Sequence, residues 1–133
     1  SSGSGKTTAA EIVRGLLPVM ERDELSDVFA LNNALGNQVV ITSESYLRPF
    51  RAIAPSINGT GLIGSSSSFR PGEISLANHG VLFMDEVCEY SSKLLDQLRI
   101  PMESREVTLK RAGKSITFPT TIILSFPKVS CQL

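Results

Sequence analysis

Apolar positions recur at helical spacing in two segments of the first third of the chain. The first segment runs from Thr7 to Leu17 and is ended by Pro18. The second runs from about Asp23 to Leu35, and Gly36 follows it as a typical C-terminal stop. The inward positions of the two predicted helices are Ala9, Ala10, Ile12, Val13, Leu16 and Leu17, then Leu25, Val28, Phe29, Leu31 and Leu35.

The pattern weakens between Asn37 and Gly80. Val39–Thr42 and Phe50–Ile53 are long enough for short strands, whereas Gly, Ser, Asn and Pro dominate the remainder. A connection of this length is uncommon inside a compact domain unless it has a function. The pattern therefore predicts an elaborated surface insertion.

Beyond Gly80 the apolar pattern becomes regular again. Val81–Met84 is a continuous apolar run, which is typical of a strand buried on both faces in a parallel sheet. Ser91 or Ser92 is positioned to cap a helix that ends before Pro101, with Leu94, Leu95 and Leu98 inward. Thr120–Phe126, apolar and β-branched, predicts another buried strand.

A β-hairpin is predicted between that helix and the last strand. If Val107 lies opposite Phe118 and Leu109 opposite Ile116, the four apolar side chains share one face. Thr108 and Thr117 then share the other face. The closing loop, residues 111–114, brings three basic side chains together at the tip: Lys110, Arg111 and Lys114.

Composition narrows the class of protein. The 133 residues hold 13 Lys and Arg against 13 Asp and Glu, and 41% are hydrophobic, so the chain is neither a basic tail nor disordered. The apolar runs are too short to span a membrane, and Ser1–Lys6 is polar where a signal peptide needs an apolar stretch. With only Cys88 and Cys131, we expect no disulfide framework and a cytoplasmic location. Since the chain does not begin with Met, we expect a piece of a longer protein.

The first residues carry a phosphate-binding motif. Gly3-Ser4-Gly5-Lys6-Thr7 matches the downstream part of G-x-x-x-x-G-K-[ST], in which backbone N–H groups surround phosphates, the Lys neutralises their charge and the Thr hydroxyl holds Mg²⁺. The helix that begins near Thr7 adds the positive end of its dipole. The alternative is a flexible Gly/Ser terminus that happens to precede Lys-Thr. The predicted nucleotide-binding residues are Gly3, Ser4, Gly5, Lys6, Thr7 and Thr8.

An acidic pair follows the buried strand. Asp85, placed by a rigid strand, is suited to hold Mg²⁺, and Glu86 is suited to orient and deprotonate an attacking water. The alternative is a solvated acidic pair at a strand end. Occurring together with Gly5-Lys6-Thr7 and an amphipathic helix, the pair favours a nucleotide site with Lys6 and Glu86 catalytic and Thr7 and Asp85 on the metal.

Longer motifs carry a more specific resemblance. The chain contains Arg48-Pro49-Phe50-Arg51-Ala52, then Arg70-Pro71-Gly72-Glu73-Ile74-Ser75-Leu76-Ala77, and Gly80 through Glu86. Leu98-Arg99, Pro101-Met102-Glu103 and the segment from Glu106 to Pro119 follow. Over nearly its whole length the sequence resembles the AAA+ ATPase core of the magnesium-chelatase-like family, most of all its ComM/YifB branch.

The resemblance implies an α/β P-loop NTPase fold with a three-layer αβα core and a pre-sensor β-hairpin insertion. Residues 1–133 would form a partial nucleotide-binding core without its first strand and C-terminal lid. The family implies ATP and Mg²⁺ as ligands, and a homo-oligomeric, hexameric ring. ComM-type proteins resemble motors that drive DNA branch migration during transformation, so Lys110, Arg111 and Lys114 become candidate DNA contacts. The alternative for that tip is an ordinary solvated turn.

Departures from the family pattern leave other functions open. Val129 stands where the family places an Asn that senses the γ-phosphate, and Val cannot form that hydrogen bond. The chain is therefore an ATPase, a degenerate ATP-binding assembly module with little hydrolysis, or a chelatase-type motor acting on a protein partner. We expect the isolated 133 residues to be inactive, with an apolar edge at Thr120–Phe126. For His79 we expect a structural role.

Overall fold

The computed structural model describes residues 12–38 and 40–126, which form a mixed α/β fold around a parallel sheet. Residues 12–16 are helical (α1). The other helices are α2 (Arg22–Ala34), α3 (Gly59–Ile63), α4 (Glu73–Leu76) and α5 (Ser92–Ser104). The strands are β1 (Phe50–Ile53), β2 (Gly64–Ser65), β3 (Arg70–Pro71), β4 (Val81–Met84), β5 (Glu106–Arg111), β6 (Lys114–Pro119) and β7 (Ile123–Ser125).

The strand β4 forms the centre of the three-stranded sheet, whose order is β1-β4-β7. It pairs in parallel with both neighbours, with Phe50 opposite Val81 and Val81 opposite Ile123. All four of its side chains are buried. The continuous apolar run therefore corresponds to a strand that is covered on both faces, as predicted. The predicted strand at 50–53 is also confirmed. The strand predicted at Thr120–Phe126 exists but is shorter, Ile123–Ser125, and it is not buried as expected.

The hairpin of β5 and β6 has the predicted register. Val107 pairs with Phe118 and Leu109 with Ile116. On the opposite face the hydroxyls of Thr108 and Thr117 are 2.9 Å apart and share a hydrogen bond. Ala112 and Gly113 both have positive φ, 48° and 80°, which is the geometry of the tight turns that match the strand twist.

The prediction of a surface insertion between Asn37 and Gly80 is wrong. The segment supplies β1 and three fully buried apolar side chains: Leu62, Ile74 and Ala77. Its glycines permit close packing rather than loops, because a Cβ on Gly72 would lie 2.4 Å from the Leu62 carbonyl oxygen. The predicted strand at Val39–Thr42 is also wrong over its described residues 40–42, which are exposed and precede a 3₁₀-helix (Ser43–Tyr46).

Helices α2 and α5 were predicted with small errors at their ends. α2 begins and ends one residue earlier than expected and buries only Leu25 fully. α5 is capped by Ser91, whose hydroxyl accepts a hydrogen bond from the Leu94 N–H. It continues through Pro101 to Ser104, whereas we expected it to end before Pro101. Pro101 is buried and lies in the last turn, where it has no N–H to donate, and its carbonyl accepts hydrogen bonds from the Arg105 N–H and the Thr120 hydroxyl.

Two further findings concern Cys88 and the helices as a group. Cys88 is disulfide-bonded, so the expectation of no disulfide is wrong. Among the described residues, no helix combines the length and apolar character needed to cross a membrane.

Candidate functional site

The acidic pair lies where the central strand leaves the sheet. Asp85 directly follows β4, and its backbone N–H donates to the Ile53 carbonyl at the end of β1, at 3.2 Å. The carboxyl ends of parallel strands meet at one edge, which is where open α/β sheets bind ligands. The buried run before Asp85 thus fixes the carboxylate at the edge that the fold class uses for binding.

Glu86 adopts a backbone conformation that is unusual for its residue type. Its φ of 53° and ψ of 49° are left-handed, which disfavours a residue with a Cβ by about 1 kcal/mol. Its carbonyl accepts a hydrogen bond from the Glu89 N–H at 2.8 Å, which closes the short turn Val87–Glu89. The Glu86 side chain is exposed. Phe69, His79, Arg105 and Ala112 also have positive φ, so this conformation does not by itself mark Glu86 as functional.

Tyr90 is a feature of this edge that sequence reasoning missed. Its side chain is buried, with 7% of the residue exposed, and belongs to the same apolar cluster as Ile53 and Met84. Within the described part of the chain its hydroxyl has no hydrogen-bond partner. Burial, followed by the charges of Asp85 and Glu86, raises the pKa of Tyr90 to about 12. The sequence signal for it is its position at the end of the turn that starts at Glu86.

The residues of the predicted phosphate loop lie outside the described residues. They are Gly3, Ser4, Gly5, Lys6, Thr7 and Thr8. Val129 lies outside them as well. Whether Lys6 and Asp85 converge on one nucleotide therefore stays a prediction.

The donor set at this edge fits Mg²⁺. In nucleotide sites Mg²⁺ is held by one or two carboxylates together with phosphate oxygens and water, so the Asp85 carboxylate is the donor such a site requires from this edge. Within residues 12–38 and 40–126 no group of three or more His, Cys, Asp and Glu could hold a metal ion by itself. Mg²⁺ at Asp85 would depend on phosphate, water and residues outside the described ranges for its remaining ligands.

At the opposite, amino end of the sheet the polar groups are paired with one another. Arg48 donates to the Glu24 carboxylate at 2.7 and 3.2 Å, and to the carbonyls of Pro18 and His79. The hydrogen bond from Arg48, helped by the backbone N–H of Glu21, lowers the pKa of Glu24 to about 2. His79 Nε2 lies 2.8 Å from an Asp27 carboxylate oxygen, so His79 has the structural role that we expected.

A second arginine of the family motifs is also structural. Arg51, in β1, makes a two-point contact with the Glu73 carboxylate at 2.6 and 2.8 Å. That hydrogen bonding raises the pKa of Arg51. The contact joins α4 to the sheet, which explains why the two motifs that contain Arg51 and Glu73 occur together in this chain.

The three basic residues at the hairpin tip are all exposed. They differ in what they contact. The Arg111 guanidinium donates to the Ser67 carbonyl in the loop between β2 and β3. Lys110 and Lys114 form no ion pair within the described residues, so their charges are available to an external anion.

The chain is similar to proteins of one family. The sequence model of the family described as "Magnesium chelatase, subunit ChlI" matches residues 1–132. The competence protein ComM of Haemophilus influenzae is 41% identical over 88% of this chain and 23% of its own length. YifB of Escherichia coli K12 is 39% identical over the same shares. The ChlI subunit of magnesium chelatase from Porphyra purpurea is 30% identical over 92% of this chain and 40% of its own length.

A solved structure shows the same fold. A chain in a complex of the magnesium chelatase subunits BchI and BchD superimposes with a TM-score of 0.63 at 22% identity, over 93% of this chain and 43% of that chain. The mixed α/β, largely parallel architecture is that of a partial AAA+ P-loop domain, as expected. The chain spans about a quarter of the length of ComM and YifB, 23% in each case. It belongs to the magnesium chelatase ChlI family and lies on the ComM/YifB side of that family.

Proposed function

We propose that this chain carries the nucleotide site of an Mg²⁺-dependent ATPase. The observation that supports it most directly is the acidic pair Asp85-Glu86 at the carboxyl end of a strand buried between two parallel neighbours. Membership of the magnesium chelatase family across residues 1–132 agrees with this proposal.

Each residue has one task in the proposed site. Backbone N–H groups of Gly3 to Thr8 surround the phosphates, and Lys6 neutralises their charge. Thr7 and Asp85 hold Mg²⁺, which when bound neutralises charge on the phosphate oxygens. Glu86 accepts a hydrogen bond from the attacking water, orients it toward the γ-phosphate and takes its proton as the bond forms.

The test is ATP turnover by the full-length protein with Mg²⁺. Glu86→Gln keeps the shape and removes the base, so turnover should fall by roughly 10²-fold or more while ATP still binds. Lys6→Ala should weaken ATP binding itself. Glu89→Gln is the matched control, since Glu89 is exposed in the same turn and should leave turnover unchanged. Wild-type turnover no faster than that of Glu86→Gln would exclude the ATPase.

We further propose that the chain is part of a hexameric AAA+ ring, with ATP between subunits and DNA as the substrate. The support is Lys110 and Lys114 on the hairpin, which are exposed and form no ion pair with any described residue. Lys110→Ala with Lys114→Ala should abolish stimulation of turnover by DNA and reduce the salt dependence of DNA binding, whereas Lys93→Ala on α5 should not. Stimulation by DNA that survives the double substitution contradicts the role of the hairpin.

Val129 favours a second candidate function, an ATP-binding assembly module with slow hydrolysis. A Val at the sensor position provides no polar contact to the γ-phosphate or the attacking water. Loss of one such contact costs roughly 10²-fold in rate. Val129→Asn in the full-length protein distinguishes the two functions. A large rise in turnover indicates an assembly module, and an unchanged rate indicates a motor whose polar contact comes from another residue.

A further inference from the structure

The hydroxyl of Tyr90 is a buried polar group that nothing in the described fold explains. Buried hydroxyls are almost always hydrogen-bonded, and a lasting exception calls for a specific reason. Tyr90 is 7% exposed, and its oxygen has no partner within residues 12–38 and 40–126. A Phe would fill the same space in the apolar cluster without that unfavourable burial.

The position of the hydroxyl supplies a reason. The ring belongs to the apolar cluster that also contains Ile53 and Met84, the last residues of β1 and β4, and Tyr90 follows β4 by six residues. Two hydrogen bonds hold the turn between Glu86 and Tyr90. The Glu89 N–H donates to the Glu86 carbonyl, and the Tyr90 N–H donates to the Val87 carbonyl. The charges of both Asp85 and Glu86 act on the hydroxyl. The unpaired donor thus lies beside the acidic pair.

Of the two carboxylates, Glu86 is the one that needs a partner. Asp85 is held by its backbone N–H on β1 and is assigned to the metal. Glu86 is exposed, and its side chain forms no hydrogen bond or ion pair with the described residues. A general base that is free to rotate spends little time in the geometry that activates water, so a fixed donor at its side would raise the rate.

We propose that Tyr90 is a positioning residue for Glu86. In the nucleotide-bound state its hydroxyl donates a hydrogen bond to one carboxylate oxygen and leaves the other oxygen for the attacking water. This inference rests on the proposed ATPase function. The tyrosine stays protonated throughout and transfers no proton, so the bond acts only on the orientation of the carboxylate.

Kinetics of the full-length protein test the role. Tyr90→Phe should lower kcat about tenfold, equivalent to about 1.4 kcal/mol, while KM for ATP stays within about twofold. Tyr46→Phe, at an exposed tyrosine, is the matched control and should change neither constant. In a Glu86→Ala background, Tyr90→Phe should have no further effect, because the carboxylate it positions is gone.

Thermal unfolding without nucleotide separates positioning from a structural role. Removing an unpaired buried hydroxyl should leave Tm unchanged or raise it. A lower kcat with an unchanged or higher Tm supports the proposal. An unchanged kcat in an active wild type overturns the positioning role alone, as does a kcat loss that accompanies a fall in Tm. If the wild-type protein shows no ATP turnover, both the proposed ATPase function and this inference are overturned.

Discussion

At the amino end of the parallel sheet, Arg48 is paired with the Glu24 carboxylate and two carbonyls, and His79 is paired with Asp27. At the carboxyl end, Glu86 occupies a left-handed backbone conformation with an exposed carboxylate, and the Tyr90 hydroxyl is buried without a partner in the described residues. The same three strands connect the two ends. At the amino end these polar groups are paired with one another, whereas at the carboxyl end the Glu86 carboxylate and the Tyr90 hydroxyl have no partner among the described residues.

The difference indicates how the fold divides its tasks. Interactions completed within the chain contribute stability, so the amino end should be sensitive to substitutions that break a pair. Polar groups that await a ligand contribute binding or catalysis and tend to lower stability. Substitutions at the carboxyl end should therefore change activity far more than stability.

Arg48→Ala should give the largest loss of stability at the amino end. Both members of the pair are mostly buried, with 16% of the Arg48 and 20% of the Glu24 side chain exposed. Removing one partner leaves a carboxylate partly buried, at a cost of about 3 kcal/mol. Hydrogen exchange of the α2 amides in the full-length protein should become roughly a hundredfold faster. Arg99→Ala is the control, because its pair with Asp96 is exposed and 3.8 Å long, and exchange should not change.

Low pH should reduce the stability that the amino end of the sheet contributes. The pKa of Glu24 is lowered from 4.5 to about 2, so its contribution is present above pH 4.5 and is lost as the pH falls toward 2. The free energy of unfolding should fall by about 2 kcal/mol over that pH range, and thermal unfolding should show this as a fall in Tm. Glu24→Gln should be less stable at neutral pH and should show a smaller fall. An equal fall in both proteins would contradict the assignment to Glu24.

Glu86→Gly should stabilise the folded protein, whereas most substitutions destabilise it. Glycine adopts φ near 53° without a Cβ penalty, so the free energy of unfolding should rise by about 0.5–1 kcal/mol while ATP turnover is lost. Ala112→Gly is the matched control, since Ala112 has a φ of 48° in the hairpin turn and should gain similar stability with turnover intact. Destabilisation by Glu86→Gly, measured by thermal unfolding, would remove the contrast between the two ends.

Features with a regular local pattern could be predicted from the sequence. The run Val81–Met84 specified a doubly buried strand, and the alternation of apolar and threonine residues specified the hairpin register. The acidic pair was found because it follows such a strand directly. In each case neighbouring residues along the chain contain the whole physical cause.

Features that depend on contacts between distant segments could not be predicted. Gly72 looked like a loop residue, although the Leu62 backbone packs where its side chain would be. Pro101 looked like a helix end, but Thr120 and Arg105 bond to its carbonyl and extend the helix. The pairing of Arg48 with Glu24 and the burial of Tyr90 likewise require the assembled fold. Periodicity carries no information about such partners.

The strand order also sets a sequence of events during folding. The hairpin joins neighbouring segments, and such hairpins form within about 1–10 μs. The sheet must instead join Phe50 to Val81 and Val81 to Ile123, which closes two long loops before any pairing energy is gained. On the ribosome the central strand can pair with β1 once it emerges, but its other edge stays unpaired until β7 has emerged, and this is the interval in which we expect the nascent chain to depend most on chaperones.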